Sequence, residues 1–278
     1  MKIQHSIARV LGLTCVVVLM TGCASSFNKS LTLEARNRIS DVDIQIVVPQ
    51  ETFIFSASSP GVSAAAGGGL IPALIDASIQ KSRQEAMRGE VEATVDRFID
   101  VDFRQEANQV VRGPISGFPW KVRSIEVVPR IATKSEMEQR VEKTKGSSAY
   151  MRLLVHYELD TKGMTYTMRT HALLWQDGQK ENSFGRGVIY QSRVLDLNAP
   201  TALDAIRAQM RIAMEATMAL YALELSQSSD GNRPTRDTDS FAMKLGGTPT
   251  TWKGEKLRDT PEYDFYRVAG NYLFAIQK

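Results

Sequence analysis

The chain has 278 residues, 43% of them hydrophobic and 23% charged. These are ordinary globular values, which exclude wholesale disorder, a collagen-like fibre and a polytopic membrane protein. Lys plus Arg is 34 and Asp plus Glu is 31, a formal net charge of +3. That balance is too even for a chain whose main partner is nucleic acid.

At the N-terminus, Lys2 and Arg9 precede an apolar run of 11 residues, Val10 to Met20. A membrane-spanning helix needs about 20 residues. A charged start, a short apolar run and small residues after it describe an export signal. The run ends in Thr21-Gly22-Cys23-Ala24-Ser25-Ser26. Thr21-Gly22-Cys23 in this position resembles the lipobox of bacterial lipoproteins. The resemblance implies cleavage before Cys23, a diacylglycerol on its sulfur, and an N-acyl chain such as palmitate. Residues 1–22 are then the signal peptide, and 23–40 a lipidated N-terminus and short tether. Ala24, rather than Asp, follows the cysteine. By the sorting rule of enterobacterial lipoproteins this implies the outer membrane, facing the periplasm.

Cleavage removes Lys2, Arg9 and Cys15, leaving 32 bases against 31 acids. With Cys23 a thioether, the mature chain has no free thiol, no disulfide and no thiolate metal site. Each buried acyl methylene contributes about 0.8 kcal/mol, so two or three chains make release negligible.

The next segment, 41–226, is expected to be the core domain. Val42, Ile44, Ile46 and Val48 alternate up to Pro49 as a half-buried strand, and 52–55 is a second short apolar run. Gly67, Gly68 and Gly69 stand before the apolar 70–79, an expected buried helix with Pro72 in its first turn. A triple glycine at a helix start can cradle an anion, but the spacing fits neither the dinucleotide fingerprint nor the phosphate loop. Residues 81–100 read as a helix with Val91, Val95, Phe98 and Ile99 on one face. Residues 120–129 read as a strand, and 135–145 as a solvated helix or loop.

Residues 150–159 and 164–175 flank Asp160-Thr161-Lys162-Gly163, a turn composition. Pairing Leu159 with Met164 puts an almost wholly apolar set on one face, with Thr170 its one polar member. Arg152, His156, Glu158, Arg169 and His171 fall on the other. The contrast predicts an antiparallel sheet with one face on the core. Asp177-Gly178 predicts another turn before a strand near 187–195.

Thr201 with Asp204 approximates a capping box. Leu203, Ile206, Met210, Met214, Thr217, Tyr221 and Leu225 make the apolar stripe of a helix reaching about residue 225. Residues 227–240 form a polar linker. Residues 241–278 are an aromatic-rich C-terminal segment, expected to pack on the core or to serve as a docking arm.

No catalytic or cofactor constellation emerges. In the register above His156 lies opposite Thr167, roughly 13 Å along the ladder from His171, too far to share a metal ion. The glycine-x-serine-x-glycine frame of a strained nucleophile is absent around Ser63 and Ser116. Asp96, Asp100, Asp102 and Glu126 leave a carboxylate enzyme open without supporting it. Met210, Met214 and Met218 recur at helical spacing, a pattern that fills cores more often than it binds copper(I) or lines a partner groove.

The sequence therefore predicts an α+β fold: a mainly antiparallel sheet with a long amphipathic helix packed on one face, and additional helices. The expected function is a non-enzymatic interaction or assembly factor, held to the membrane through Cys23 and meeting an envelope protein, with no cofactor, no metal and no nucleic acid. The alternatives are a carrier of lipid or small apolar ligands and a periplasmic hydrolase using carboxylates.

Overall fold

The computed structural model describes residues 28–50, 53–56, 98, 103–110, 117–160, 164–227, 238–245, 248–268 and 272–278. These residues form four helices: α1 (Leu33–Arg38), α2 (Phe103–Val110), α3 (Lys134–Glu142) and α4 (Ala202–Ser226). They form ten strands: β1 (Asp41–Val47), β2 (Ile54–Ser56), β3 (Lys121–Val128), β4 (Ser148–Asp160), β5 (Thr165–Gln176), β6 (Phe184–Gln191), β7 (Thr238–Leu245), β8 (Thr248–Asp259), β9 (Tyr263–Val268) and β10 (Tyr272–Gln277). Cys23, the glycines 67–69 and the helices expected at 70–79 and 81–100 lie outside the described residues, apart from the buried Phe98.

All ten strands join one sheet in the order β3-β1-β4-β5-β6-β10-β9-β8-β7, with β2 also on β4. This corrects the expected fold. Strand residues outnumber helical ones among the described residues, so the molecule is mostly β. The sheet is mixed rather than mainly antiparallel. β1 runs parallel to both β3 and β4, β2 parallel to β4, and β10 parallel to β6. The hairpin composition of β4 and β5 is a local signal. The parallel partners arrive from distant segments, which no turn announces.

β1 alternates in burial from Asp41 to Ile44 as expected, and Gln45 and Val47 on its second face are buried as well. Pro49, which lacks an N–H, ends it. The Gln50 side chain then bridges the gap before β2. Its Nε2 donates to the Tyr157 carbonyl at 2.9 Å, and its Oε1 accepts from the Tyr157 N–H at 2.8 Å. A side-chain amide thus takes the place of a strand backbone on β4.

The β4–β5 register differs from the expected one by two residues: Leu159 pairs with Tyr166 and Asp160 with Thr165. Met164 takes a left-handed φ of 49° and belongs to the turn. An even shift leaves every side chain on its expected face. The second turn has positive φ at both Asp177 (56°) and Gly178 (67°), as a type I′ hairpin requires.

α4 packs on β5, β6 and β10. Thr201 stands at its N-cap, but its side chain makes no cap hydrogen bond, contrary to the capping-box expectation. The helical stripe is buried as its period requires, with Met210, Met214 and Met218 at most 1% exposed. The hairpin's apolar face is filled by this packing. Its one polar member, Thr170, meets the Tyr221 hydroxyl at 2.9 Å, and that hydroxyl donates to the Arg186 carbonyl.

Three buried charges meet in the same layer. Glu224 pairs with both Arg186 and Arg267, and Arg267 reaches Glu255 at 3.0 Å. β8 runs so close here that a Cβ on Gly254 would lie 2.8 Å from the Arg267 carbonyl oxygen.

The C-terminal segment completes the sheet instead of standing apart as an arm. β7 to β10 curl so that Phe241 stacks on Tyr266 at 4.2 Å and packs against Phe274. The Gln191 side chain ties the curl back to β6, exchanging two hydrogen bonds with the Lys244 backbone.

Candidate functional site

The face of the sheet opposite α4 was expected to be a solvated polar surface. Instead Leu154, His171, Leu173 and Trp175 are buried there. α3 accounts for part of this cover. Thr133 and Glu136 form a reciprocal capping box at its start, and Met137 and Val141 pack into Tyr150, Leu173 and Trp175. The chain 135–145 is highly charged, but Met137 and Val141 are four residues apart and so share one helical face.

Between α3 and strands β1 and β3 lies a groove of about 520 Å³. Its walls include Asp43, Gln45, Glu126, Glu136, Arg140 and Tyr150. A chain of hydrogen bonds crosses its floor. Arg140 grips Glu126 with both terminal nitrogens, at 3.0 and 3.1 Å. Gln45 donates to Glu126 at 3.4 Å, and the Tyr150 hydroxyl donates to Gln45 Oε1 at 2.7 Å. At the far end Arg130 forks onto Glu136 at 2.7 and 2.9 Å. At the near end Asp43 accepts from Arg123 and from the Ser124 hydroxyl.

Stacking continues this chain onto β5. The Tyr150 ring stacks on Trp175 with centroids 5.7 Å apart. The Arg140 guanidinium stands 5.7 Å from the Tyr150 centroid, and Arg152 stands 5.3 Å from the Trp175 ring. Arg152 thus faces an indole, and burial pulls its pKa down from the usual value.

Three groups of the groove shift from their usual values. The Arg130 fork, helped by Thr133, lowers Glu136 to about 2. Burial raises Tyr150 to about 12. The Glu126 carboxylate raises Arg140 further. Glu136, Arg140 and Tyr150 are therefore unsuited to shuttling protons at neutral pH.

The two-residue shift also revises the histidine geometry. His156 lies opposite Arg169, so His171 is two residues along the ladder, about 7 Å rather than 13 Å. Both His156 ring nitrogens are buried without a hydrogen-bond partner. Burial, and then the nearby Arg169 charge, lower His156 to about 4, so it is neutral at pH 7. Arg169 itself pairs with Glu158 at 2.8 Å. Among the described residues no group of three or more His, Cys, Asp or Glu side chains is placed to hold a metal ion.

Of the carboxylates singled out from sequence, Glu126 enters the groove, whereas Asp96, Asp100 and Asp102 lie outside the described residues, as do Ser63 and Ser116. Gln45, Arg140 and Tyr150 were not singled out. A Thr-x-x-Glu capping signal at 133–136, followed by the Met137 and Val141 stripe, was the available clue to α3 and hence to the groove. No protein-family model matches the chain, and no curated protein matches it.

Proposed function

We propose that this chain is a bacterial envelope lipoprotein, acylated at Cys23 and facing the periplasm from the outer membrane. In this reading it works without catalysis, as an interaction or assembly factor, and meets an envelope protein at the α3 groove. The observation that carries the reading is the apolar run ending in Thr21-Gly22-Cys23, five residues before the described fold begins at Asn28. That beginning is well held. Lys29 and Gly185 exchange backbone hydrogen bonds of 3.0 and 2.8 Å, and Arg186 reaches the side chains of Asn28 and Ser30. Pull on an anchor at Cys23 would pass directly into β6.

The groove supports the non-catalytic part. Its carboxylates are neutralised by forked guanidiniums and its tyrosine is held protonated, which suits recognition of a polar surface better than proton transfer. Among the described residues no helix is long and apolar enough to cross a membrane, so the reading relies on the acyl chains for attachment. The test is the intact mass of the protein extracted from bacterial membranes. A chain beginning at Cys23 and carrying diacylglycerol plus an N-acyl group is expected. An unacylated polypeptide would overturn the reading.

A further inference from the structure

The two ends of the sheet differ in charge. β1, β3, β4 and β6 begin, and β5 ends, at one end of the sheet, because their registers align Asp41 with Lys121 and Ser148, Ala149 with Gln176, and Leu174 with Phe184. α1 leads into this end, and α4 finishes at it, where Arg36 donates to the Ser226 carbonyl. Lys29 joins it through Gly185, and Lys180 through the turn that follows β5. Thr144 ties the end of α3 to the same turn.

The ion pairs within this rim leave two acids over, because Arg38 meets both Glu34 and Asp177, Arg123 meets both Asp41 and Asp43, and Lys145 meets Glu142. Among the described residues Lys29, Lys121, Lys143 and Lys180 are exposed and make no ion pair, and with Arg36, against the exposed Glu181, they leave the rim net positive. The other end of the same strands carries Asp160, Asp196 and, at the start of α4, Asp204, with Arg193 among them and the Arg130–Glu136 pair and Lys134 beyond β3.

The rim is also where the chain to Cys23 departs. Asn28 is five residues from Cys23, and an extended chain covers at most about 3.6 Å per residue, roughly 18 Å in all. We propose that the rim rests on the bilayer, with Lys29, Lys121, Lys143 and Lys180 against the phosphate groups of anionic phospholipid. This rests on the anchored reading above and adds an orientation to it. The acyl chains fix the distance, and the lysines choose which end faces the lipid. Each cation near an anionic surface favours contact about fivefold, an effect that falls off within a Debye length. The α3 groove, which Lys143 borders at its rim end, would then open sideways along the membrane surface.

The test uses the protein purified from membranes, reconstituted into vesicles of phosphatidylcholine alone or with 30% phosphatidylglycerol, and labelled with a water-soluble amine reagent. Mass spectrometry reads the labelling rate at each lysine. The expected result is labelling of Lys29, Lys121, Lys143 and Lys180 slowed about fivefold in the phosphatidylglycerol vesicles. High salt should remove the slowing, and Lys134 and Lys278, away from the rim, should label equally in both. In the K29Q/K121Q/K180Q variant, Lys143 should lose its protection. Equal labelling of the rim lysines in the two vesicles, or slowing that salt leaves intact, would overturn the proposal. The intact mass of the same sample reports the acyl chains independently, so a failed anchor and a failed lipid contact give different results.

Discussion

On one face of the sheet a single 25-residue helix, α4, lies across β5, β6 and β10, and the side chains beneath it are almost wholly withdrawn from water. On the other face the 9-residue α3 covers one apolar cluster, and the curled β7–β8 hairpin covers another. The first face even contains charges, with Glu224 serving both Arg186 and Arg267, and it buries the Tyr166 and Thr217 hydroxyls without a hydrogen-bond partner among the described residues. The second face leaves Arg152 on an indole, His156 with both nitrogens unpartnered, and a polar groove beside α3. Both faces bury polar groups at a cost in stability, but the first is closed by α4 together with α1 and α2, whereas the second, covered in pieces, opens into a groove.

The contrast can be broken most severely at Glu224. Its side chain is 1% exposed and shared by two guanidiniums. E224Q removes that shared charge and should cost about 4 kcal/mol, seen as a loss of unfolding free energy in denaturant titration. Met214, fully buried at the centre of α4, tests packing rather than charge on the same face. M214A should cost about 3 kcal/mol in the same titration.

On the pieced face the leading effect depends on pH. An unfolded histidine takes a proton near 6.5, whereas His156 in the fold stays neutral to about 4. The folded pKa is lowered, so protonation favours the unfolded chain. Stability should therefore fall as pH drops from about 6.5 towards 4, by about 2–3 kcal/mol at the acid end. H156L should flatten that part of the stability curve while leaving neutral pH nearly unchanged. The smallest effect is expected at Tyr150, whose hydroxyl donates to Gln45. Y150F should cost about 1 kcal/mol, the net worth of one such hydrogen bond plus the acceptor left behind.

How much of this was legible in the sequence follows the range of the interactions. α4 was readable because its stripe repeats with the helical period, and the hairpin because its turn composition and alternation are local. The two-residue error in register came from giving Met164 to the strand when its backbone takes a turn conformation. The faces survived the error because it was even. The overall class was misjudged because β1 and β10 enter the sheet beside strands far away in sequence, parallel to β4 and β6. Nothing in Asp41–Val47 or Tyr272–Gln277 alone names those neighbours.

The groove was missed for the same reason. Gln45, Glu126, Arg140 and Tyr150 come from four separate elements, and each is unremarkable where it stands in the chain. Glu126 was noticed only as one carboxylate among several, and its role became visible once Arg140 was seen to grip it. Gln50 and Gln191 are a further case. As residue types they carry no strand signal, yet each uses its amide as a piece of strand backbone.

In the proposed function the pieced face meets the partner and the face under α4 supports it. The most direct measurement is site-specific photo-crosslinking in intact cell envelopes, from a photoreactive residue at Gln139 in the groove and, in a second variant, at the exposed Arg211 on α4. A discrete protein adduct from position 139 and none from 211 is the predicted result. An adduct from 211 alone, or from neither position, would contradict the account.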